Sequence, residues 1–159
     1  MSSSPSPHGR RRRSGRPLPE SNAPLSAPAD ALAVVFAALD EPRRPETIAL
    51  LLDEQHRGSI VLICSDVSQS IELRQLAALL LEVAASHATL GAVVLATSRP
   101  QGGIMPTADD ERVFAGLRHD LAAASVELLD WFLIDGQLVG SVAELSGACW
   151  LWQAEEPSG

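Results

Sequence analysis

Apolar residues come in short blocks separated by polar turns, and the spacing inside each block predicts its conformation. Ala31–Leu39, with Asp30 as N-cap and Pro42 as stop, reads as a short apolar helix. Ile48–Leu52 is too short for a helix and is bounded by turn residues, so it reads as a buried strand. Asp53–Gly58 turns the chain into a second strand, Ile60–Cys64, rich in β-branched residues. Ser68 or Ser70 can cap a helix running to about His87, where Ile71, Leu73, Leu76, Leu79, Leu80 and Val83 form one apolar stripe. Gly91 opens a third strand over 92–96, and a helix follows over Thr107–Ala124 with Val113, Phe114, Leu117 and Leu121 on one face. Leu128–Ile134 and Gln137–Val142 flank Asp135-Gly136, a strong hairpin signal, and a last strand is expected at Cys149–Trp152. The order α-β-β-α-β-α-β-β-β predicts one α/β domain with a mixed sheet flanked by helices.

Residues 1–29 break this pattern. They hold six of the eleven prolines, many serines and the run Arg10–Arg13, with almost nothing apolar to bury, so they are expected to be a disordered tail. The folded unit is expected over 30–153, with a flexible end at 154–159. Charge divides along the same line: the tail carries five arginines and one glutamate, whereas the body carries seven arginines and nineteen acids. An acidic body is a poor match for phosphate, so any nucleic-acid contact is expected to run through the tail. No apolar run is long enough to span a bilayer, and the amino terminus lacks the apolar core of a secretion signal, so no membrane association and a cytoplasmic location are expected. Cys64 and Cys149 both lie in apolar runs and read as buried free thiols.

The candidate chemistry sits in residues 97–110, which follow the apolar run Ala92–Ala96. Pro100, Gly102, Pro106 and Asp110 stand at the spacing of the motif H-x-H-P-x-G-x-x-x-P-S-x-x-D. Ile48–Arg57, Leu128-Leu129-Asp130 and Gly140-Ser141-Val142 add matching strings in the same order. In these features the chain resembles the RadC-like branch of the JAB (MPN/JAMM) domain family over roughly residues 32–147. The resemblance implies a zinc hydrolase in which two histidines and an aspartate hold the metal, a glutamate from the first strand region is the general base, and a serine supports the oxyanion.

Carried over residue by residue, the resemblance implies that the metal is gone. Thr97 and Arg99 stand at the two histidine positions, Thr107 at the serine and Asp110 at the aspartate. A hydroxyl is a poor zinc ligand and a permanent cation is repelled by a dication. The base position falls between Pro45 and Glu46, and Trp131 replaces the family histidine after Leu-Leu-Asp. His8, His56, His87 and His119 show no ligand spacing with one another. The expectation is therefore no catalytic residue, no metal and no cofactor.

The retained residues also have local work. Thr107-x-x-Asp110 matches a helix capping box, and Pro100 with Gly102-Gly103 suits a tight loop. Arg99 can either pair with Asp110 in place of the metal or face solvent and meet an anion. The leading functional expectation is a catalytically inactive binding or scaffolding module with a protein partner. The alternatives are an enzyme with non-zinc chemistry around Arg99 and Asp110, or a nucleic-acid-associated protein using its tail. An active pocket should bury polar groups at its base, whereas a scaffold is expected to close it with apolar side chains.

Overall fold

The computed structural model describes residues 24–145. The expected tail falls mostly outside that range, as do Cys149 and the strand expected at 149–152. Helix α1 spans Pro28–Ala38, three residues ahead of the expected start. Pro28 occupies the first helical position, where a fixed φ and a missing N–H are no handicap. Asp30 lies in the first turn instead of capping it, and its carboxylate accepts from Ser26 N at 3.0 Å. Upstream of the helix, Leu25 N donates to His56 O at 2.8 Å.

Strands β1 (Glu46–Asp53) and β2 (Gly58–Ser65) form an antiparallel hairpin. Asp53 holds its turn by accepting from Gln55 N and Arg57 N at 2.8 and 2.9 Å. Helix α2 (Ser70–Ser86) begins after Gln69, so neither Ser68 nor Ser70 is the N-cap. Glu72 supplies the reciprocal half of a capping box, its Oε1 accepting from both Ser68 N and Gln69 N at 2.9 Å. Those two backbone bonds, the Gln69 one first, hold the Glu72 carboxyl below the usual carboxylate range.

Strand β3 (Leu90–Ser98), helix α3 (Ala108–Ala123) and strand β4 (Glu127–Asp135) follow, with α3 one residue inside its predicted bounds at each end. Strand β5 (Leu138–Ser141) closes a hairpin whose turn is Gly136-Gln137, one residue later than Asp135-Gly136. Asp135 stays in the ladder opposite Leu138, and Gly136 takes φ +65°, as the first turn residue of a II′ hairpin does. The expected strand also ends early, because Val142–Leu145 is a short helix, α4. Ser141 caps it, its Oγ accepting from Glu144 N at 3.0 Å.

The five strands lie in the order β2-β1-β3-β4-β5, with β3 and β4 parallel and every other pair antiparallel. This is the predicted α/β class with a mixed sheet. Both faces of the central strands are covered. Ile48, Leu50, Leu52, Val94 and Phe132 pack with Ala31, Val35 and Leu39 of α1. Ala49, Leu51, Val93, Leu95, Trp131 and Leu133 pack with α2, α3 and α4 through Leu73, Leu80, Phe114, Leu121 and Val142. The near-continuous apolar composition of β1, β3 and β4 follows from this double burial. Among the described residues, no helix is long and apolar enough to cross a membrane.

Gly91, at the start of β3, lets the chain pass close to the β1–β2 turn: a methyl there would stand 2.5 Å from Glu54 Cα. Backbone cannot swing aside as a side chain can. Gly91→Ala is therefore expected to cost about 1–3 kcal/mol of unfolding free energy in urea titrations. An unchanged midpoint would mean that the turn moves freely away from the strand.

Candidate functional site

The candidate residues gather at the carboxyl end of β3, on the face covered by α2 and α3. Antiparallel register sets Thr47 of β1 opposite Thr97 of β3. Their hydroxyls are 2.8 Å apart and fully buried. Trp131 Nε1 on β4 donates to Thr97 Oγ1 at 2.8 Å, and Thr47 Oγ1 donates to Val67 O at 2.6 Å. An indole N–H can only donate and a carbonyl can only accept, so the hydroxyl directions between them follow. The chain of bonds runs from Trp131 to Thr97, then to Thr47, and ends on Val67.

Arg99 lies just beyond β3, where its N–H still donates to Ile134 O on β4 at 2.8 Å. Its side chain is 11% exposed and that of Asp110 is 1% exposed. Nη1 and Nη2 meet the two Asp110 carboxylate oxygens at 2.8 and 2.9 Å, a bidentate fork, while Nε donates to Ser68 O at 2.6 Å. The guanidinium carbon also sits 5.5 Å from the centre of the Trp131 ring, within cation–π range. Of the two orientations open to Arg99 in the sequence, the paired one is adopted.

Asp110 serves two structures at once. Its Oδ2 accepts from Thr107 N at 2.8 Å, and its own N–H donates to Thr107 Oγ1 at 3.0 Å, which completes the predicted capping box. The intervening loop turns through a bond from Gly102 N to Arg99 O at 2.8 Å, with Gly103 at φ +80°. Asp135, at the hairpin, fastens that loop from below by accepting from Gln101 N and Gly103 N at 2.8 and 3.0 Å.

Neither candidate for the base reaches this cluster. Glu46 is fully buried, but strand alternation sends it to the α1 face, where its Oε2 accepts from Asp40 N at 2.9 Å. Pro45 offers only its carbonyl, which accepts from Asp66 N. Thr47 is the β1 residue that faces Thr97. The histidines lie elsewhere: His56 is 3.5 Å from Glu127, His87 ends α2, and His119 stands beside Asp120 on exposed α3 surface. Cys64 is half-buried, and desolvation pushes its thiol up. Among the described residues no three His, Cys, Asp or Glu side chains come together as a metal set. At the inferred metal position, one ligand site is a threonine hydroxyl already in two hydrogen bonds and the other is a guanidinium. These residues do not fit a zinc ion.

The cluster is therefore neither apolar nor open. Its polar groups are buried, as chemistry would require, yet they are spent on one another and on the Val67-Ser68 carbonyls. Thr47 was not singled out from the sequence, and Ser68 was read there only as a helix cap. A lone threonine in an otherwise apolar strand was the available signal. Asp130 was another: an acid within the apolar run 128–133, fully buried on β4. It accepts from Trp131 N at 2.7 Å, Ser141 Oγ at 2.6 Å and Ala143 N at 3.2 Å, so it anchors the start of α4.

No protein-family model matches the chain, and no curated protein matches it in sequence.

Two predictions follow from these contacts. Arg99→Ala leaves a buried carboxylate without its cation and should cost about 3–5 kcal/mol, and Asp110→Ala should cost a similar amount. In a double-mutant cycle on urea unfolding the two should couple by about 2 kcal/mol. Simple additivity would show that the fork adds nothing to stability. Burial pushes the Asp130 carboxyl above its ordinary value of 3.8, against the opposing bonds from Ser141, Trp131 N and Ala143 N and the Arg118 charge. Stability tied to the protonated group is then complete below that ordinary value and is lost as pH rises through the raised folded one. As pH rises above that ordinary value of 3.8, the urea midpoint should fall relative to that of Asp130→Asn, which cannot ionise. Parallel profiles would show that folding does not shift this group.

Proposed function

We propose that this chain is a degenerate RadC-like JAB domain that has lost zinc-dependent hydrolysis and works in the cytoplasm as a binding or scaffolding module for a protein partner. It needs no cofactor in this reading. The observation that carries it is the Arg99–Asp110 fork, with nitrogen–oxygen distances of 2.8 and 2.9 Å, where the resemblance implies that a metal and its aspartate ligand would meet. A fixed positive charge replaces the ion and satisfies the carboxylate that remains. Element order supports the reading too: the Thr97-x-Arg99 segment leaves a buried strand and Asp110 opens the next helix, as the motif requires.

A non-zinc enzyme at the same place is less well supported. Thr47, Thr97, Trp131, Arg99 and Asp110 already hold one another, so a substrate would have to break charge-assisted bonds before meeting any of them. Contact with nucleic acid, in this reading, belongs to the arginine run of residues 10–13 and not to the acidic body.

Elemental analysis of the purified full chain tests the proposal, with Thr97→His/Arg99→His measured alongside it. The unmodified protein is expected to carry no stoichiometric zinc and the double variant to gain it. Thermal unfolding of the variant, with and without added zinc, shows whether it is folded when assayed. Stoichiometric zinc in the unmodified chain would overturn the inactive reading. A folded variant that still takes no zinc would overturn the alignment beneath it.

A further inference from the structure

Strand β2 forms one edge of the sheet, and among the described residues β1 is its only strand partner. Its eight residues, Gly58–Ser65, include no charged side chain and no proline. An edge of that length is ordinarily blunted by charge, proline or a covering segment, because its unpaired N–H and C=O groups template further pairing. The opposite edge, β5, has only four residues. One irregularity interrupts β2: its register against β1 shifts between Leu51 and Leu52, so the regular run begins at Ile60.

The ladder fixes which groups of that run face outward. Asp66 N donates to Pro45 O at 2.9 Å, one step past the paired residues Ser65 and Glu46. Hydrogen-bonded and non-hydrogen-bonded pairs alternate along an antiparallel ladder. Cys64, Leu62 and Ile60 therefore spend their N–H and C=O groups on Thr47, Ala49 and Leu51, whereas Val61, Ile63 and Ser65 turn theirs away from β1. Both faces are apolar: Ile60, Leu62 and Cys64 pack with the cluster shared by α2 and α3, and Val61 and Ile63 with the cluster beneath α1. Only Val61 of these five is buried, and the others are half-buried.

We propose that β2 pairs antiparallel with β2 of a second copy of this chain, about a two-fold axis that passes through Leu62 perpendicular to the sheet. Val61 then exchanges backbone bonds with Ile63 of the second copy, and Ile63 with its Val61, about four bonds in all. Leu62 meets its own counterpart on the axis and Ile60 meets Cys64, so every pair within 60–64 is apolar and lies on matching faces. Neighbouring registers fit worse. An axis through Ile63 would set Ile60 against Asp66, and one through Val61 would draw the irregular residue 59 into the bonded run. Charge agrees with the central register. Arg57 precedes the strand and Asp66 follows it, both exposed, so antiparallel pairing brings the basic end of each copy beside the acidic end of the other. Asp66 has Arg44 at 3.4 Å and is still 77% exposed.

A second copy is the occupant because the run is its own complement: one sequence supplies the outward groups, the matching faces and opposite charge at each end. Strand addition draws its affinity mainly from main-chain bonds, so it does not require a broad interface. Each copy uses β2 once, which closes the assembly at two.

Sedimentation velocity on the full chain across the micromolar range is expected to show a species of twice the 16.8 kDa chain mass. Leu62→Lys places two like charges on the axis and should weaken association roughly a hundredfold. Leu138→Lys, on the opposite edge, should leave it unchanged, and far-UV circular dichroism checks that both variants are folded. Cross-linking reads the register. In a Cys64→Ser/Cys149→Ser background, Leu62→Cys should oxidise to a covalent dimer, since Cα atoms of a non-hydrogen-bonded pair stand about 4.5 Å apart. Ile63→Cys should not, because its counterpart lies two residues out of register. If Leu62→Lys does not fold, the cross-links decide alone. A monomer throughout, a dimer untouched by folded Leu62→Lys, or a cross-link at 63 in preference to 62 would overturn the proposal.

Discussion

A guanidinium taken out of water must find partners for its charge and its donors, and the way Arg99 does so organises the surrounding structure. Its fork closes on Asp110, which ties the end of β3 to the start of α3. Its Nε reaches Ser68 O, which ties the same point to the entrance of α2. Its flat face rests beside the ring of Trp131 on β4. The end of β3, the start of α3, the entrance of α2 and β4 are all referenced to one side chain. A lysine would supply the charge but neither the planar fork nor the third, independently directed donor.

Carboxylates repeat this pattern at other places in the fold. Asp110, Asp130 and Asp135 each accept backbone N–H groups from a segment that would otherwise leave them unpaired: the start of α3, the start of α4 and the 101–103 loop. At Asp130, burial outweighs its hydrogen bonds and the Arg118 charge and raises its carboxyl above the ordinary value. Where Asp110 has a guanidinium, Asp130 has a hydroxyl and two amides. The acidic balance of the folded body is thus partly an internal matter, since several of its acids are fasteners and not surface charge.

Most of the architecture was legible because it is encoded locally. Short, continuous apolar runs bounded by turn residues marked β1 to β4, and the Thr107-x-x-Asp110 box fixed the start of α3 to within a residue. Errors arose where two local signals competed. Ser141-x-x-Glu144 is the same type of box as Thr107-x-x-Asp110, but the apolar alternation across 137–142 masked it, and buried Asp130 decided the contest in favour of a helix. Asp135-Gly136 marked the hairpin correctly, yet Asp135 was held in the ladder by the loop amides it accepts. The site was half legible. Thr97, Arg99, Thr107 and Asp110 lie within one short segment, so spacing could find them. Thr47 is fifty residues from its partner, and only strand register, a non-local property, brings it there.

The directed chain from Trp131 through Thr97 and Thr47 to Val67 bears on how such a pocket can change over evolutionary time. Each hydroxyl is both donor and acceptor, so replacing one orphans a neighbour on each side of it. A histidine arriving alone at 97 would have to satisfy Trp131 and Thr47 before it could turn toward an ion. A histidine alone at 99 would strand Asp110 and the Ser68 carbonyl. Neither single substitution gains a ligand set, and both forfeit bonds, so each is expected to give a less stable protein. The cluster behaves as an interlock: with the hydroxyl relay and the guanidinium fork both in place, no single substitution leaves it without loss.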